Sequence, residues 1–230
     1  MISPLLTDPV FLEGAIKILF VFVLVTAALV ISARNLASLL TTYTVQSLLL
    51  ALIAGLLYLI EESPVLLSIA ALTFVSKVLL IPFFINMVEE KVKIRRDMKF
   101  NYLEPTSSLM VSIALVLLVY VFLSGFFALD RLFFFGAVIG LSLTLMGMLV
   151  MFSRRKVITK VLGYLTMENG VLLFGIFVTE LPFIIEVLII IDLIILVLLT
   201  TILAVGIDST IEEYHQRLLK LKIWSGREYL

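Results

Sequence analysis

Residues 64–88 read PVLLSIAALTFVSKVLLIPFFINMV, an apolar run of 25 residues in which Lys77 is the one charged side chain. At about 1.5 Å per residue, a helix of this length covers about 37 Å. The hydrocarbon core of a bilayer is about 30 Å thick, so this run predicts a membrane-spanning helix. Six other runs share its length and apolar character. Together they predict an all-α integral membrane protein with about seven transmembrane helices, at residues 11–31, 36–60, 64–88, 108–128, 131–152, 157–180 and 182–206.

The composition of the whole chain agrees with this prediction. Hydrophobic residues make up 62% of the chain and charged residues 15%, and the mean hydropathy is +1.22. Soluble domains average roughly 45–50% apolar and 25% charged residues, so an aqueous globular fold is excluded. The formal net charge is zero, and nothing in the charge pattern predicts nucleic-acid binding.

The chain has no cysteine and a single histidine, His215. Without cysteine there is no thiolate to hold a metal ion or an iron–sulfur cluster, and His215 falls in a polar tail where we expect it to be solvated. We therefore expect the chain to hold no metal and no cofactor, and to carry no catalytic residue. Any redox chemistry would belong to a partner.

The basic residues predict the direction of the chain across the membrane. Thirteen of the 17 Lys and Arg residues follow the first, third, fifth and seventh spans, whereas the opposite side has only Arg131. Basic residues accumulate on the cytoplasmic side, so the N-terminus is predicted outside and the C-terminus in the cytoplasm. The residues that carry this prediction are Arg34, Lys91, Lys93, Arg95, Arg96, Lys99, Arg154, Arg155, Lys156, Arg217, Lys220, Lys222 and Arg227.

The polar residues also indicate an internal repeat within one transmembrane domain, residues 1–206. Repeat one (11–88) and repeat two (131–206) would each contain three helices in the same orientation, which makes the repeat parallel, with a connector helix at 108–128. The last segment, 207–230, is predicted to be a cytoplasmic tail that forms an amphipathic helix. That helix could lie on lipid headgroups or dock a cytoplasmic subunit.

Three ionisable residues fall near the middle of predicted spans: Lys77, Glu168 and Asp192. Each costs at least about 2.5–3.5 kcal/mol at the bilayer centre unless it faces a partner or water. Such groups are candidates for a proton or ion pathway. The alternative is that Lys77 only neutralises Glu168 or Asp192 and so fastens two helices together. One lysine cannot neutralise two carboxylates, which leaves at least one acid protonated or otherwise compensated.

Pro82 follows Lys77 by five residues. Proline has no backbone N–H, so the carbonyl of Val78 would lack its helical donor, and we expect the helix to bend or open beside the lysine.

Four further residues are candidates for supporting the pathway. Tyr164 lies one helical turn before Glu168 and Asn169 is adjacent to it, so both can supply hydrogen bonds in the same region. Gln46, in the second span, is a candidate lining residue. Glu186 lies closer to the outer surface and could be an exit group or an interfacial carboxylate.

Two segments carry a family resemblance. Residues 74–82 (FVSKVLLIP) and 163–170 (GYLTMENG), with Asp192 downstream, resemble component E of hydrogenase-4 and related formate hydrogenlyase complexes. The second half of the chain is also similar to the K subunit of respiratory complex I and the C subunit of multisubunit cation/proton antiporters. In that match Asp192 falls on the K subunit's second intramembrane glutamate, and Glu168 falls about one helical turn after the first.

The resemblance implies a multi-pass, non-catalytic membrane-arm subunit in the plasma membrane of a prokaryote. Its partners would be the lipid bilayer, antiporter-like membrane subunits and the redox module of a membrane-bound [NiFe] hydrogenase or formate hydrogenlyase complex related to complex I. The buried acids and lysine would then contribute to translocation of protons or Na⁺. Two other readings stay open: a stand-alone ion/proton antiporter, and a purely structural scaffold subunit of a respiratory complex.

Overall fold

The computed structural model describes residues 9–33, 35–92, 105–126, 131–154 and 157–178, and a few residues between 187 and 198. Helices make up nearly all of this part of the chain, so the all-α prediction is confirmed for it. In chain order the elements are α1 (Pro9–Ser32), α2 (Leu36–Glu61), α3 (Pro64–Thr73), a π-helix (Phe74–Leu80), α4 (Ile81–Val92), α5 (Pro105–Phe126), α6 (Arg131–Ser153) and α7 (Val157–Val178).

Six helices in this part of the chain are long and apolar enough to cross a membrane. One of them, Pro64–Met87, runs through α3, the π-helix and α4 as a single span. The six correspond to the first six predicted spans, with ends that differ by no more than three residues. The predicted seventh span and the tail lie outside the described residues, apart from scattered helical positions between 187 and 198. The count of seven, the orientation and the parallel repeat stay predictions.

Local interactions fix the ends of α2 and turn the chain back on itself. At its start, the Asn35 side chain accepts a hydrogen bond from the backbone N–H of Ser38 at 3.0 Å, which is an N-cap. At its end, Glu62 adopts the left-handed conformation with φ of 53°, and its N–H donates to the Tyr58 carbonyl. Pro64 then begins α3, where a missing N–H costs nothing. The short turn makes α2 antiparallel to the span that follows.

The helices differ in how much of their surface the protein itself covers. In the span Ile158–Val178, 72% of the most apolar window is buried, against 22% in Thr106–Gly125. α7 is therefore the central helix of the described bundle and α5 a peripheral one. Large apolar side chains that remain exposed, such as Ile113 and Leu117 on α5, match a surface that contacts lipid.

Glycines bring α6 and α7 into backbone contact. A Cβ atom added at Gly140 would overlap the backbone of Phe174, and one added at Gly147 would overlap the backbone of Met167. Membrane helices approach this closely only where small residues leave room. Gly136 and Gly140 form a GxxxG motif, which is visible in the sequence. These two helices thus pack closely through their glycines.

Arg154 fastens the end of α6 to the end of α1. Its side chain is 2% exposed, and Nη2 donates to the carbonyl oxygens of Val30, Ile31 and Ala33 at 3.2, 3.0 and 2.9 Å. These carbonyls end a helix and have no intrahelical donor, so a cation there also complements the helix dipole. Burial lowers the pKa of the Arg154 guanidinium from its usual value. We call this side of the bundle the Arg154 end.

The position of Arg154 differs from what its place in the sequence suggests. The charge pattern counts it among the basic residues that follow the fifth span, but the structure buries it between helices. Since it joins the C-terminal ends of α1 and α6, these two helices run in the same direction.

Candidate functional site

Lys77 lies at the centre of the π-helix Phe74–Leu80. In an α-helix the ring of Pro82 would clash with the carbonyl of Val78, and no N–H would be present to bond it. The chain instead adopts a wider turn just before the proline, and the N–H of Ile81 donates to the carbonyl of Ser76, five residues earlier. The sequence predicts a disturbed helix beside Lys77, and the structure has a π-helix there. Such segments occur frequently at functional sites.

Lys77 forms an ion pair with Glu168 of α7. The distance from Lys77 Nζ to Glu168 Oε1 is 2.7 Å, and the two side chains are 0% and 2% exposed. Sequence alone allowed Lys77 to pair with either Glu168 or Asp192. In the described residues it pairs with Glu168, whereas Asp192 lies outside them, as does Glu186.

Asn169 connects this ion pair to α2. Its Oδ1 accepts a hydrogen bond from Lys77 Nζ at 3.3 Å, and its Nδ2 donates to Ser47 Oγ at 3.0 Å and to Gln46 Oε1 at 3.4 Å. The side chains of Gln46, Ser47 and Asn169 are completely buried. The sequence predicts both Asn169 and Gln46 as supporting residues. Asn169 contacts the charged pair directly, and Gln46 is joined to it through one hydrogen bond to Asn169.

The hydrogen bonds continue from α2 to α1. Gln46 Nε2 donates to Thr26 Oγ1 at 3.4 Å, and the Thr26 hydroxyl donates to the carbonyl of Val23 at 2.8 Å. Polar side chains from four helical elements are thus joined by hydrogen bonds. We call this set the polar network: Thr26, Gln46, Ser47, Lys77, Glu168 and Asn169.

The polar network lies near mid-membrane depth. Ser47 and Glu168 each follow the first residue of their helix by eleven positions, which corresponds to about 16 Å along the helix axis. That is about half of a hydrocarbon core about 30 Å thick. An ion pair at this depth is screened little by solvent, so its interaction depends on geometry and on the amides that bond it.

Chemically, the site can hold and exchange a proton. Lys77 Nζ carries protons within hydrogen-bond distance of a carboxylate oxygen, and the amides and hydroxyls of the polar network can both donate and accept. Within the described residues no group of three or more His, Cys, Asp or Glu side chains could hold a metal ion.

Tyr164 lies one helical turn before Glu168 and is not hydrogen-bonded to the polar network in the part of the chain that the structure describes. It is partly buried and, with Lys160, lines a crevice of about 360 Å³ whose other lining residues are apolar, on α6, α7 and at positions 194, 195 and 198. A supporting role for Tyr164 stays a prediction.

Sequence reasoning missed Thr26 as a member of the polar network. Its hydroxyl can bond to a carbonyl of its own helix, and a lone threonine in an apolar span is therefore a weak signal. Two further buried hydroxyls, those of Thr73 and Ser76, precede Lys77 in sequence and have no hydrogen-bond partner among the described residues. No protein-family model, curated protein or solved structure matches this chain.

Proposed function

We propose that this protein is a membrane subunit that helps to move protons or Na⁺ across the bilayer, with Lys77 and Glu168 in the pathway. The observation that carries the proposal is the fully buried ion pair, 2.7 Å long, within a hydrogen-bonded polar network near mid-membrane depth. Ionisable side chains are costly at this depth and are generally found where an ion or proton path needs them.

A purely structural role explains this arrangement less well. Replacing a buried ion pair with apolar residues is often neutral or stabilising, so an ion pair is an inefficient way to hold helices together. This chain already packs α6 against α7 through glycines, and it fastens α1 to α6 through Arg154. It therefore has other means of fixing its helices, which favours a chemical role for the Lys77–Glu168 pair over a structural one.

The subunit would span the plasma membrane of a prokaryote seven times, with its N-terminus outside and the Arg154 end in the cytoplasm. The distribution of basic residues supports this direction. The predicted seventh span would bring a third ionisable residue, Asp192, into the membrane. A site with one lysine and two carboxylates has an unequal charge count, and such a site can gain and lose a proton as pairs exchange.

We further propose that the subunit works in the membrane arm of a membrane-bound [NiFe] hydrogenase or formate hydrogenlyase complex related to complex I. Support comes from the resemblance of residues 74–82 and 163–170 to component E of hydrogenase-4. The chain has no cysteine, so electrons would be handled by a partner module and the ion path shared with antiporter-like subunits.

The partner proposal is tested by purifying the tagged chain from its native membrane under gentle detergent conditions. Mass spectrometry of co-purifying proteins, with analysis for nickel and iron, identifies the complex. Antiporter-like subunits together with both metals would support a hydrogenase membrane arm, and iron without nickel would favour another relative of complex I. A homogeneous lone chain that exchanges ions in proteoliposomes would favour a stand-alone antiporter.

The translocation proposal is tested with Glu168→Gln, Lys77→Met and the double variant in inverted membrane vesicles. Proton uptake is followed with a pH-sensitive dye while the redox activity of the complex is measured in parallel. We expect the variants that still assemble to keep redox activity and to lose proton uptake at least about tenfold, as for removal of a general acid–base group. The matched control is Lys17→Gln, which removes one charge from the exposed Glu13–Lys17 pair.

The double variant separates transport from scaffolding, because it removes both charges and leaves no unpaired ion. If it assembles normally and still takes up protons like the unmodified complex, the pair has no transport role. If assembly and activity fall together in both single variants and return together in the double variant, the pair is a scaffold.

A further inference from the structure

A crevice of about 230 Å³ lies between α2 and the first turns of α4. Three of its seven lining residues are polar, Thr41 and Thr44 from α2 and Asn86 from α4, and the other four, which include Pro82, are apolar. Thr41 and Asn86 are exposed, although both lie within apolar spans. The crevice beside Lys160 differs, because its lining is almost entirely apolar.

The crevice lies between the polar network and the Arg154 end. Thr44 precedes Ser47 by three residues on α2, a step of about 4.5 Å along the axis. Pro82 follows Lys77 by five residues on the neighbouring span, a step of about 7.5 Å. Because these two elements are antiparallel, both steps lead towards the same end of the bundle.

The polar groups around this route can accept water. The hydroxyls of Thr41 and Thr44 donate to the carbonyls of Ala37 and Leu40, both at 2.9 Å, and their oxygens keep lone pairs free to accept a hydrogen bond. Beside Lys77, the hydroxyl of Ser76 is buried and has no partner among the described residues. Buried polar groups of this kind are commonly satisfied by water.

We infer that this crevice is a water-filled access route that exchanges protons between Lys77 and the aqueous phase at the Arg154 end. Its ligand is therefore water and the protons that water carries. The widened turn of the π-helix and the missing N–H of Pro82 lie where the route meets Lys77. This inference rests on the proposed function, because it specifies the side of the membrane from which protons reach the translocation site.

The chain's lack of cysteine permits a direct test with a cysteine introduced at Thr44. The probe is a quaternary-ammonium methanethiosulfonate, which cannot cross the bilayer and reacts with the thiolate, a form that requires water. Thr44→Cys is introduced into the complex in its native membrane, and labelling is measured in inverted and in right-side-out vesicles. Ser38→Cys, exposed in the first turn of α2, identifies the vesicles in which the Arg154 end faces the reagent.

The matched control is Ile113→Cys on α5. Ile113 and Thr44 each follow the first residue of their helix by eight positions, so they have similar depth, but Ile113 is 63% exposed on an apolar surface. We expect Thr44→Cys to be labelled on the order of tenfold or more faster than Ile113→Cys, and only from the face that labels Ser38→Cys. Asn86→Cys, on the opposite wall, gives the same test if Thr44→Cys does not assemble.

Equal labelling of Thr44→Cys and Ile113→Cys, with Ser38→Cys reactive, would overturn the inference, because lipid or a partner subunit would then fill the crevice. Labelling from the opposite face alone would also overturn it. The measurement requires no redox turnover, so its failure is distinct from a failure of Glu168→Gln to stop translocation.

Discussion

Replacing the two charged residues of the polar network with neutral ones, first separately and then together, measures the coupling free energy between them. Lys77→Met keeps most of the length of the side chain and removes the ammonium group, and Glu168→Gln keeps the shape of the carboxylate and removes its charge. Either change alone leaves one ion buried without its partner. Removing one member of a buried pair generally costs about 3–5 kcal/mol of folding free energy.

The structure predicts that the two losses will not add. In the double variant neither charge is present, so the desolvation cost of the remaining ion disappears, and the double variant should be more stable than either single one. We expect a coupling free energy of at least about 2 kcal/mol from this cycle. The 2.7 Å distance and the exposures of 0% and 2% both favour strong coupling.

The Glu13–Lys17 pair on α1 supplies an internal comparison. Its Nζ–Oε2 distance is 3.1 Å, close to that of the buried pair, but its side chains are 45% and 47% exposed. An exposed pair contributes about 0–1 kcal/mol, so the cycle of Glu13→Gln and Lys17→Met should give a much smaller coupling.

The assay is reversible unfolding in mixed detergent and dodecyl sulfate micelles, followed by far-ultraviolet circular dichroism. All variants of both cycles are measured under one set of conditions. A coupling free energy for Lys77 and Glu168 no larger than that for Glu13 and Lys17 would refute the reasoning, because burial would then confer no additional interaction.

Two further changes test the packing around the site, and both are measured by the same unfolding assay. Arg154→Met should lower the free energy of unfolding by about 3–6 kcal/mol. The two N–H groups of Nη2 make charge-assisted hydrogen bonds with the carbonyls at the end of α1, and each contributes about 1.5–3 kcal/mol. An unchanged stability would mean that this cap is dispensable. Gly140→Ala should cost about 1–3 kcal/mol, because its Cβ would meet the backbone of Phe174. Gly55→Ala is its control, since nothing lies within 4 Å of a Cβ there, and equal effects at the two glycines would contradict the packing argument.

The sequence was sufficient for those features that depend on residue type and spacing. Six apolar spans and the burial of Lys77, Glu168 and Asn169 follow from the cost of exposing polar groups to lipid. The disturbance before Pro82 follows from the missing N–H. Each of these features is local, so the residues themselves decide it.

Other features depend on which helices become neighbours, and a single sequence does not contain that information. Lys77 had two possible carboxylate partners, and only the packing of its span against α7 places it beside Glu168. The positive-inside rule counts Arg154 in the same way whether its side chain is solvated or buried. The rule therefore could not indicate its contact with α1. Thr26 joins the network only because α1 lies against Gln46.

The charge balance of the site limits how it can work. If a proton moves from Lys77 Nζ to Glu168 Oε1, one N–H bond breaks, one O–H bond forms, and two ions become two neutral groups. The total charge does not change, and the amides of Asn169 and Gln46 have no proton to release at physiological pH. A proton transfer confined to the Lys77–Glu168 pair therefore moves no net charge across the membrane.

Net transport needs a proton to reach the pair on one side and to leave it on the other. The crevice would supply water on one side, and Asp192, the remaining ionisable residue near the middle of a predicted span, is the third group that would exchange a proton on the other. Asp192→Asn should accordingly abolish proton uptake in inverted vesicles while it leaves the coupling between Lys77 and Glu168 intact. If Asp192→Asn vesicles take up protons at the unmodified rate, the third group must come from a partner subunit. A reduced Lys77–Glu168 coupling in that variant would instead mean that all three charges act as one structural unit, because removing the third would then disturb the other two.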